Sequence, residues 1–477
     1  MNLLTHLSGK QQRWLVLFLV SIVMMTGYIF WDILSPLSTM LTTPEGQGGY
    51  GWTAAEYGFF AGSYSFFNVF LLMLFWGGII LDSMGVRFTG LMATGLMLTG
   101  AAVCLFSMED IAPTSMWQLP LLGETKVQVT LCGLGFGLFG VGCDITGITV
   151  SKIITRWFKG YELASAMGIQ VALARVGTAL AISLSPLVAL RHGLTGALKV
   201  GVAVLLLGLV LFIAYVIVLD KMGENTPPPL SEGVTTSKAD KPNDHNPPLK
   251  GEARGVMTTN HSTLLAFLLI VLLCVLFYSS IRPFLKFSTD LLINKFGMDS
   301  QTAGWTTSIL PYGTILLTPL FGHLYDRIGR GATLMVIGCA ITLGCHVLLM
   351  RPAVNSMAVA VVVMALLGVA FSLVPSAMWA SIPQIVPFRR LGIAYGIIFY
   401  IQNLGLMFVP IWVGKSIDAH TLLAPDGSKA VDYVQPMSIF VVLSLLAVVV
   451  SLLLRIVDRR FRIGLEQPNI SGKSSAE

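Results

Sequence analysis

The stretch Gly78-Ile-Ile-Leu-Asp82-Ser-Met-Gly85-Val-Arg87 returns in altered form as Gly322-His-Leu-Tyr-Asp326-Arg327-Ile-Gly329-Arg330. The leading glycines, the aspartates and the later glycines of the two stretches each lie 244 residues apart. Both stretches join long apolar segments. A chain built twice around the same short charged loop between membrane helices is typical of a two-fold pseudosymmetric transporter.

The composition places the chain in the membrane. Hydrophobic residues make up 55% and charged residues 11% of the 477 residues, and the mean hydropathy is +0.78. About 20 apolar residues are needed for each spanning helix. The sequence predicts an all-α protein with twelve transmembrane helices in two pseudosymmetric six-helix bundles, with segments at 14–40, 53–81, 86–107, 127–156, 161–190, 195–219, 262–287, 300–325, 331–350, 354–385, 389–417 and 434–457.

The distribution of Lys and Arg predicts the orientation of these spans. With both termini cytoplasmic, the inner loops and tails receive 20 of the 30 basic residues, the outer loops receive 8, and 2 fall within helices. This asymmetry is the positive-inside pattern. The net charge of +6 is therefore a topology signal and gives no indication of nucleic acid binding. Since no targeting signal is recognised, the sequence favours the plasma membrane or a bacterial inner membrane.

One polar segment divides the chain. Residues 222–260 are rich in Pro, Ser, Thr, Asn and charge, which predicts a flexible cytoplasmic linker. The expected domains are an N-terminal six-helix bundle at 1–221, a C-terminal six-helix bundle at 261–460 and a cytoplasmic tail at 461–477.

The sequence favours no enzyme, cofactor or metal. All six cysteines lie in or beside predicted spans at spacings that are not those of metal ligands, so we expect them to be packing residues. The outer loops are short, and neither His-Glu-x-x-His nor Gly-x-Ser-x-Gly occurs. A membrane-embedded enzyme and a receptor without transport are therefore weaker alternatives.

Charge inside the predicted spans marks the candidate site, because each buried ionisable group costs at least a few kcal/mol there. Asp144 and Arg175 lie near the middle of the fourth and fifth spans, where they can reach the same depth and pair when no ligand is bound. Asp32 and Arg282 lie towards the outer ends of the first and seventh spans. As an alternative, Asp144 and Arg175 form a structural pair whose charges neutralise each other. For Asp32 and Arg282, the alternative is that they pair across the two bundles as part of a gate.

Polar and aromatic residues extend this constellation. Tyr28 and Tyr278 each precede a charged residue by four positions, which places them on the same helix face. Taken one at a time, such residues are more often packing residues than ligand contacts. Together they indicate a cavity with cationic, anionic, amide and aromatic walls, which suits a zwitterion. The predicted substrate-binding set is Asp144, Arg175, Tyr28, Asp32, Tyr64, Asn68, Tyr278, Arg282, Trp379, Gln402 and Asn403.

The duplicated loops have a different predicted role. Their glycines allow neighbouring helices to touch, and their charged residues can meet helix ends at the cytoplasmic rim. An ordinary helix hairpin is the alternative, which the repetition disfavours. The predicted gating residues are Gly78, Asp82, Gly85, Arg87, Gly322, Asp326, Arg327, Gly329 and Arg330.

These residues resemble a known family. The duplicated Gly-x-x-x-Asp-x-x-Gly-x-Arg loop resembles that of the major facilitator superfamily. The stretches Gly168-Ile-Gln170-Val-Ala-Leu-Ala-Arg175 and Ile401-Gln-Asn-Leu-Gly405 look like those of its lysosomal dipeptide transporters, as does Phe139-Gly-Val-Gly-Cys-Asp144. The resemblance covers most of both bundles and ends in the central linker and the tail.

The resemblance implies a proton-independent dipeptide carrier. In this family an arginine on the fifth helix meets the peptide carboxylate and an acidic residue on the fourth meets the amino end, and Arg175 and Asp144 occupy these positions. Asp144 stands where the animal relative has Glu, and Arg282 has no basic counterpart there that can be placed. The animal relative also relies on a glycosylated accessory subunit, for which this sequence gives no indication either way.

Other transported solutes stay open at this stage. A carrier of another organic anion and a drug exporter share the fold, and proton coupling is open if Asp144 titrates. Nitrate porters of the superfamily place an arginine in both the second and eighth helices, and the segments 53–81 and 300–325 contain none. We therefore expect a secondary active or facilitative transporter of a small zwitterionic solute, dipeptides above all, that works by alternating access.

Overall fold

The computed structural model describes residues 8–119, 123–158, 162–219, 261–387, 390–423 and 429–467. These residues are almost entirely helical, apart from two short hairpins. The predicted linker at 222–260 lies outside the described residues, as does most of the predicted tail at 461–477. The domain boundaries therefore stay predictions.

The described residues of the N-terminal half form seven α-helices. They are α1 (Gly9–Asp32), α2 (Ser38–Thr42), α3 (Ala54–Ser63), α4 (Phe66–Phe70), α5 (Met73–Glu109), α6 (Val127–Phe158) and α7 (Leu163–Ala214). Short 3-10 turns cover Ser35–Leu37 and Glu45–Gln47, and a π-helical turn covers Tyr215–Leu219. The antiparallel strands β1 (Met116–Leu119) and β2 (Gly123–Lys126) form a hairpin before α6.

The C-terminal half contains six long helices. They are α8 (His261–Phe296), α9 (Ser300–Ile328), α10 (Gly331–Met350), α11 (Met357–Ile385), α12 (Leu391–Ala419) and α13 (Val434–Phe461). The strands β3 (Thr421–Leu423) and β4 (Lys429–Val431) form a second hairpin between α12 and α13.

Two glycines separate spans that run on as one helical element. Gly85 (φ 78°) breaks α5 between the second and third spans, and Gly193 (φ 71°) breaks α7 between the fifth and sixth. Only glycine adopts such positive φ values at little cost, so the chain reverses direction there. Together with the other helices this gives twelve spans in two six-helix bundles, which confirms the predicted fold of a multi-pass integral membrane protein.

Within the described residues, nine helices are long and apolar enough to cross a membrane by these criteria alone. The second span is not among them because it is built from α3, α4 and the start of α5, with a left-handed Leu72 (φ 51°) between the last two. The sequence predicted one continuous segment at 53–81. That prediction was wrong, because the helix is interrupted within this range. The eighth span, α9, contains Pro311 and Pro319 together with charged residues at its end.

The two bundles are in close contact at the end of the molecule that holds the start of α3 and the end of α12. We call this the sealed end. A Cβ at Gly58 or Gly62 would collide with the backbone of α12, and one at Gly414 with the backbone of α3. On the other side of the interface, Gly304 of α9 lies against the carbonyl oxygen of Ile182. Close approach through glycine is common where helices pack in membranes.

Hydrogen bonds between the bundles reinforce the sealed end. The carboxylate of Asp418 accepts the backbone N–H groups of Ala54 and Ala55, both at 2.7 Å. An anion of one bundle thus caps the positive N-terminus of α3 in the other. Thr39 donates to the Asp290 carboxylate at 2.9 Å, which adds a second polar bridge.

At the other end, which we call the open end, the same spans stand apart. Residues Phe70, Leu71 and Leu72, at the break between α4 and α5, are all exposed. Gly78 and Gly322 have no atoms within 4 Å of a Cβ built on them. The backbone of Gly331, beside the second charged loop, bonds to Leu465, so the last described residues of the chain lie at the open end.

Candidate substrate chamber

The acidic side of the chamber is built by the packing of α6 on the second span. Gly133, Gly137 and Gly140 form a stripe on α6, and a Cβ at these positions would meet Phe59, Ser63 and Tyr64. The stripe therefore takes a helix partner at close range. This packing brings Tyr64 and Asn68 to the Asp144 carboxylate of α6.

Each oxygen of the Asp144 carboxylate accepts a hydrogen bond. The Tyr64 hydroxyl donates to Oδ1 at 2.7 Å, and the Asn68 amide donates to Oδ2. Asn68 is buried, and its own Oδ1 has no hydrogen-bond partner among the described residues. The predicted residues Tyr64, Asn68 and Asp144 thus meet at one place, where the Asn68 Oδ1 is left without a donor from the described residues.

The cationic side of the chamber holds two guanidinium groups around one aromatic ring. The Cζ atoms of Arg175 and Arg282 lie 5.1 and 5.5 Å from the ring centroid of Phe371, so they can be no farther apart than the sum of these distances. Arg282 also lies 5.0 Å from the ring of Trp31. Cation–π contacts of this kind hold a guanidinium without neutralising it.

Aromatic rings connect the cationic and acidic sides. The rings of Trp31 and Tyr64 are stacked at 4.0 Å with an interplanar angle of 7°. Tyr64 contacts Asp144, and Trp31 contacts Arg282. A continuous series of contacts therefore runs from the carboxylate through two stacked rings to the arginines.

Two predicted tyrosines lie beside this series. Tyr28 packs against Trp31 with ring centroids 5.3 Å apart. The Tyr278 hydroxyl accepts a hydrogen bond from the Trp379 indole N–H at 3.0 Å, and its ring contacts Phe371 edge-on at 5.6 Å. Both tyrosines thus extend the series of contacts between the acidic and cationic sides.

Asp144 and Arg175 do not pair with each other in this structure. Among the described residues, neither Arg175 nor Arg282 has a carboxylate within 4.0 Å or any hydrogen bond to its guanidinium. The expected direct ion pair is therefore absent in this conformation. The physical reason is that Tyr64 and Asn68 each hold one oxygen of Asp144, while the Arg175 guanidinium lies over the ring of Phe371.

Asp32 is paired, but with a residue that sequence reasoning missed. Its carboxylate lies 2.7 Å from Lys286 Nζ, and both side chains are buried. The other two donors of Lys286 go to the Trp31 carbonyl at 2.7 Å and the Ser35 hydroxyl at 2.9 Å. Asp32 thus pairs across the two bundles, but with Lys286 and not with Arg282, and a gating role of the pair stays a prediction. Lys286, counted among the outer-loop charges, lies between the bundles.

Two predicted amide residues lie away from the arginines. Asn403 accepts a hydrogen bond from Ser65 at 2.7 Å, which joins α12 to the second span. Gln402 contacts the Cys274 thiol, with 3.6 Å between sulfur and oxygen. The structure thus places Asn403 in the interface between the bundles and Gln402 against α8.

The sequence contained a signal for Lys286 but none for Phe371. Tyr278, Arg282 and Lys286 follow one another at intervals of four, so they form one stripe along α8. Phe371 is one of 26 phenylalanines, and nothing in its neighbourhood distinguishes it. Its contact with both arginines follows only from the packing of α7, α8 and α11.

The duplicated loops lie at the open end. Asp82 forms an ion pair with Lys152 of α6 at 2.6 Å, and Gly85 and Gly329 both have positive φ values. Gly329 and the left-handed Arg330 make the turn from α9 into α10. The loops therefore shape helix ends at the rim, and their gating role stays a prediction. In the described part of the chain, no group of three His, Cys, Asp or Glu residues could hold a metal ion.

Twelve spans in two bundles around one charged, aromatic chamber define a membrane carrier that is open at one end. A family model of the Major Facilitator Superfamily matches residues 16–410 and 272–469. The chain belongs to this superfamily.

Curated relatives narrow the similarity further. The chain is 29% identical to the lysosomal dipeptide transporter MFSD1 of Gallus gallus over 314 residues, covering 63% of this chain and 66% of that protein. It is 26% identical to the Homo sapiens protein of the same name over 428 residues, covering 87% and 82%. A crystal structure of the nucleoside transporter NupG superposes with a TM-score of 0.62 at 15% identity, covering 93% and 98%, which supports the fold alone.

Proposed function

We propose that this chain transports dipeptides across a membrane by alternating access, with Asp144 meeting the substrate ammonium and Arg175 the substrate carboxylate. The proposal rests on one observation. An acidic cluster and unpaired guanidinium groups lie at separate places in one aromatic chamber. A zwitterion presents the two complementary charges a short distance apart. The names of the curated relatives point to the same class of solute.

The energetics favour a zwitterionic ligand over an uncharged one. A guanidinium binds a carboxylate through two parallel hydrogen bonds, and hydrogen bonds to charged groups contribute about 1.5–3 kcal/mol each. The ammonium can meet the Asp144 carboxylate, which Tyr64 and Asn68 hold in place. A sugar offers neither charge, and a plain hydrophobe would leave the arginine without a counter-ion.

Alternating access requires that each end of the chamber closes in turn. In this conformation the sealed end is closed by glycine contacts and by the Asp32–Lys286 pair, while the open end is apart. We propose that both termini are cytoplasmic, as the Lys and Arg distribution predicts, so that the open end faces inward. The membrane is proposed to be the plasma membrane or a bacterial inner membrane, although the relatives are named as lysosomal.

The experiment is a binding measurement with chemically blocked ligands. Purified protein is titrated with Ala-Ala, N-acetyl-Ala-Ala and Ala-Ala-amide, and the rise in melting temperature is recorded, since a ligand that binds the folded state stabilises it. Arg175→Gln should abolish the response to Ala-Ala, as should Asp144→Asn. Arg191→Gln is the matched control, because Arg191 is an exposed residue further along α7.

The blocked ligands identify which charge each residue binds. We expect N-acetyl-Ala-Ala to bind wild type as weakly as Ala-Ala binds Asp144→Asn, and Ala-Ala-amide to bind as weakly as Ala-Ala binds Arg175→Gln. Uptake into proteoliposomes with and without a proton gradient then tests coupling. Stabilisation by an organic anion or a drug, with none by any dipeptide, would overturn the proposed substrate.

A further inference from the structure

We propose that Arg282 is a second carboxylate-binding residue, and that the chamber selects dipeptides whose C-terminal residue has an acidic side chain. This inference rests on the proposed dipeptide function and names the preferred substrates within that class. It assigns a specificity role to Arg282 that the proposed contacts of Arg175 and Asp144 leave unexplained.

The charges around the chamber do not balance. Lys286 and Asp32 neutralise each other at 2.7 Å, and every donor of Lys286 is already used. The remaining charged groups of the described chamber are Asp144, Arg175 and Arg282. With all of them ionised, a zwitterionic dipeptide leaves one positive charge uncompensated, whereas a dipeptide with net charge −1 leaves none.

A guanidinium within a membrane span is costly when no partner compensates its charge, so it marks a binding site unless a partner is present. Arg282 contacts the rings of Trp31 and Phe371 and, within the described residues, has no polar partner. The rings hold the guanidinium in place and leave its five N–H donors available. The Asp32 carboxylate interacts electrostatically with Arg282 but is bound to Lys286, so the guanidinium is positioned for a carboxylate from a ligand.

The geometry also indicates which residue of the dipeptide carries the acidic side chain. Arg175 and Arg282 contact the same ring of Phe371, whereas Asp144 lies beyond Trp31 and Tyr64. An acidic C-terminal residue carries both of its carboxylates at one end of the molecule, away from the ammonium. The main-chain carboxylate then binds Arg175 and the side-chain carboxylate binds Arg282.

Arg282 is distinct from the seal of the chamber although it lies one helical turn from Lys286. Tyr278, Arg282 and Lys286 occupy one face of α8, with Lys286 bound to Asp32 of the first bundle. Tyr278 bonds to Trp379 on the same side of the chamber as Phe371. Arg282 lies between them, above the ring that it shares with Arg175.

The test compares two ligands that differ only in charge. Binding of Ala-Glu and Ala-Gln to purified wild-type protein is measured by calorimetry, with Glu-Ala as the positional isomer. We expect wild type to bind Ala-Glu roughly 10- to 100-fold more tightly than Ala-Gln or Glu-Ala, the range that a hydrogen-bonded charge pair corresponds to. Arg282→Gln should remove this preference, so that the variant binds Ala-Glu and Ala-Gln equally.

Two further variants keep the test decisive. Arg282→Lys retains the charge and should keep part of the preference for Ala-Glu, which a purely structural role of Arg282 would not predict. Arg351→Gln removes an exposed arginine at the end of α10 and should change nothing. Equal binding of Ala-Glu and Ala-Gln by wild type overturns this inference and leaves the dipeptide function intact. Binding of neither ligand contradicts the dipeptide function itself.

Discussion

The two ends of the chamber are built from the same helices and differ sharply in packing. On the second span, Gly62 lies against the backbone of α12 at the sealed end, whereas Gly78 has empty space around it at the open end. On the eighth span, Gly304 and Gly322 repeat this contrast. Since each span carries glycine at both ends, the difference lies in the tilt of the bundles and not in the local sequence.

The ends also differ in their polar contacts. The sealed end has a buried ion pair and a carboxylate that caps a helix of the opposite bundle. At the open end, the ion pair between Asp82 and Lys152 lies within one bundle and is largely exposed. We therefore expect substitutions at the sealed end to change stability most in this conformation.

The largest effect is expected at Lys286. Replacing it by Gln leaves the buried Asp32 carboxylate without a counter-ion, and breaking a buried pair in this way costs about 3–5 kcal/mol. The free energy of unfolding in detergent is measured by denaturant titration. The double variant Asp32→Asn/Lys286→Gln should recover most of the loss, because it leaves no bare charge.

The matched control is Lys199→Gln. Lys199 forms an ion pair with Glu109 at 2.5 Å, but both side chains are about half exposed. Exposed pairs contribute at most about 1 kcal/mol. If Lys286→Gln proves no more destabilising than Lys199→Gln, the interior pair does not hold the sealed end.

The next effect compares the two glycines of the second span. A leucine at position 62 must push α12 away, which we expect to cost about 1–3 kcal/mol of stability. A leucine at position 78 meets open space, so its effect on the melting temperature should be small. Gly78→Leu should nevertheless slow transport at least tenfold, because the helices of the open end must approach position 78 when that end closes during the transport cycle. Normal transport by Gly78→Leu would argue against closure at this position.

The smallest effect is expected at Asp82. Its ion pair with Lys152 is largely exposed, with 82% of the Asp82 side chain accessible, so Asp82→Asn should cost less than about 1 kcal/mol. The melting temperatures of Asp82→Asn and Lys286→Gln are measured in parallel and compared. A loss as large as that of Lys286→Gln would show that the open end is stabilised more strongly than its packing indicates.

The fold was predictable because its signals are redundant. The hydropathy of twelve segments and the repeat of Asp82 and Asp326 at the same spacing each indicate two six-helix bundles. The break of the second span near Leu72 was not predictable, since a left-handed leucine carries no signal in sequence. It follows from how α4 and α5 pack at that point.

The candidate site was predictable in its residues but not in its pairings. Membrane burial of charge is costly, so Asp144, Arg175 and Arg282 stand out in an apolar sequence. Which charged residues pair with each other depends on the rotation of their helices. Lys286 was assigned to a loop because it falls at the edge of an apolar segment. Phe371 became part of the site only through tertiary packing.

The most direct test of alternating access around this chamber is a pair of distance measurements by electron spin resonance. In a background with the six cysteines replaced, one protein carries spin labels at Ser83 and His323 of the open end, and another at Glu45 and Ala419 of the sealed end. With saturating Ala-Ala, alternating access predicts a new shorter distance at the open end and a new longer distance at the sealed end. A ligand that raises the melting temperature but leaves both distance distributions unchanged would contradict it.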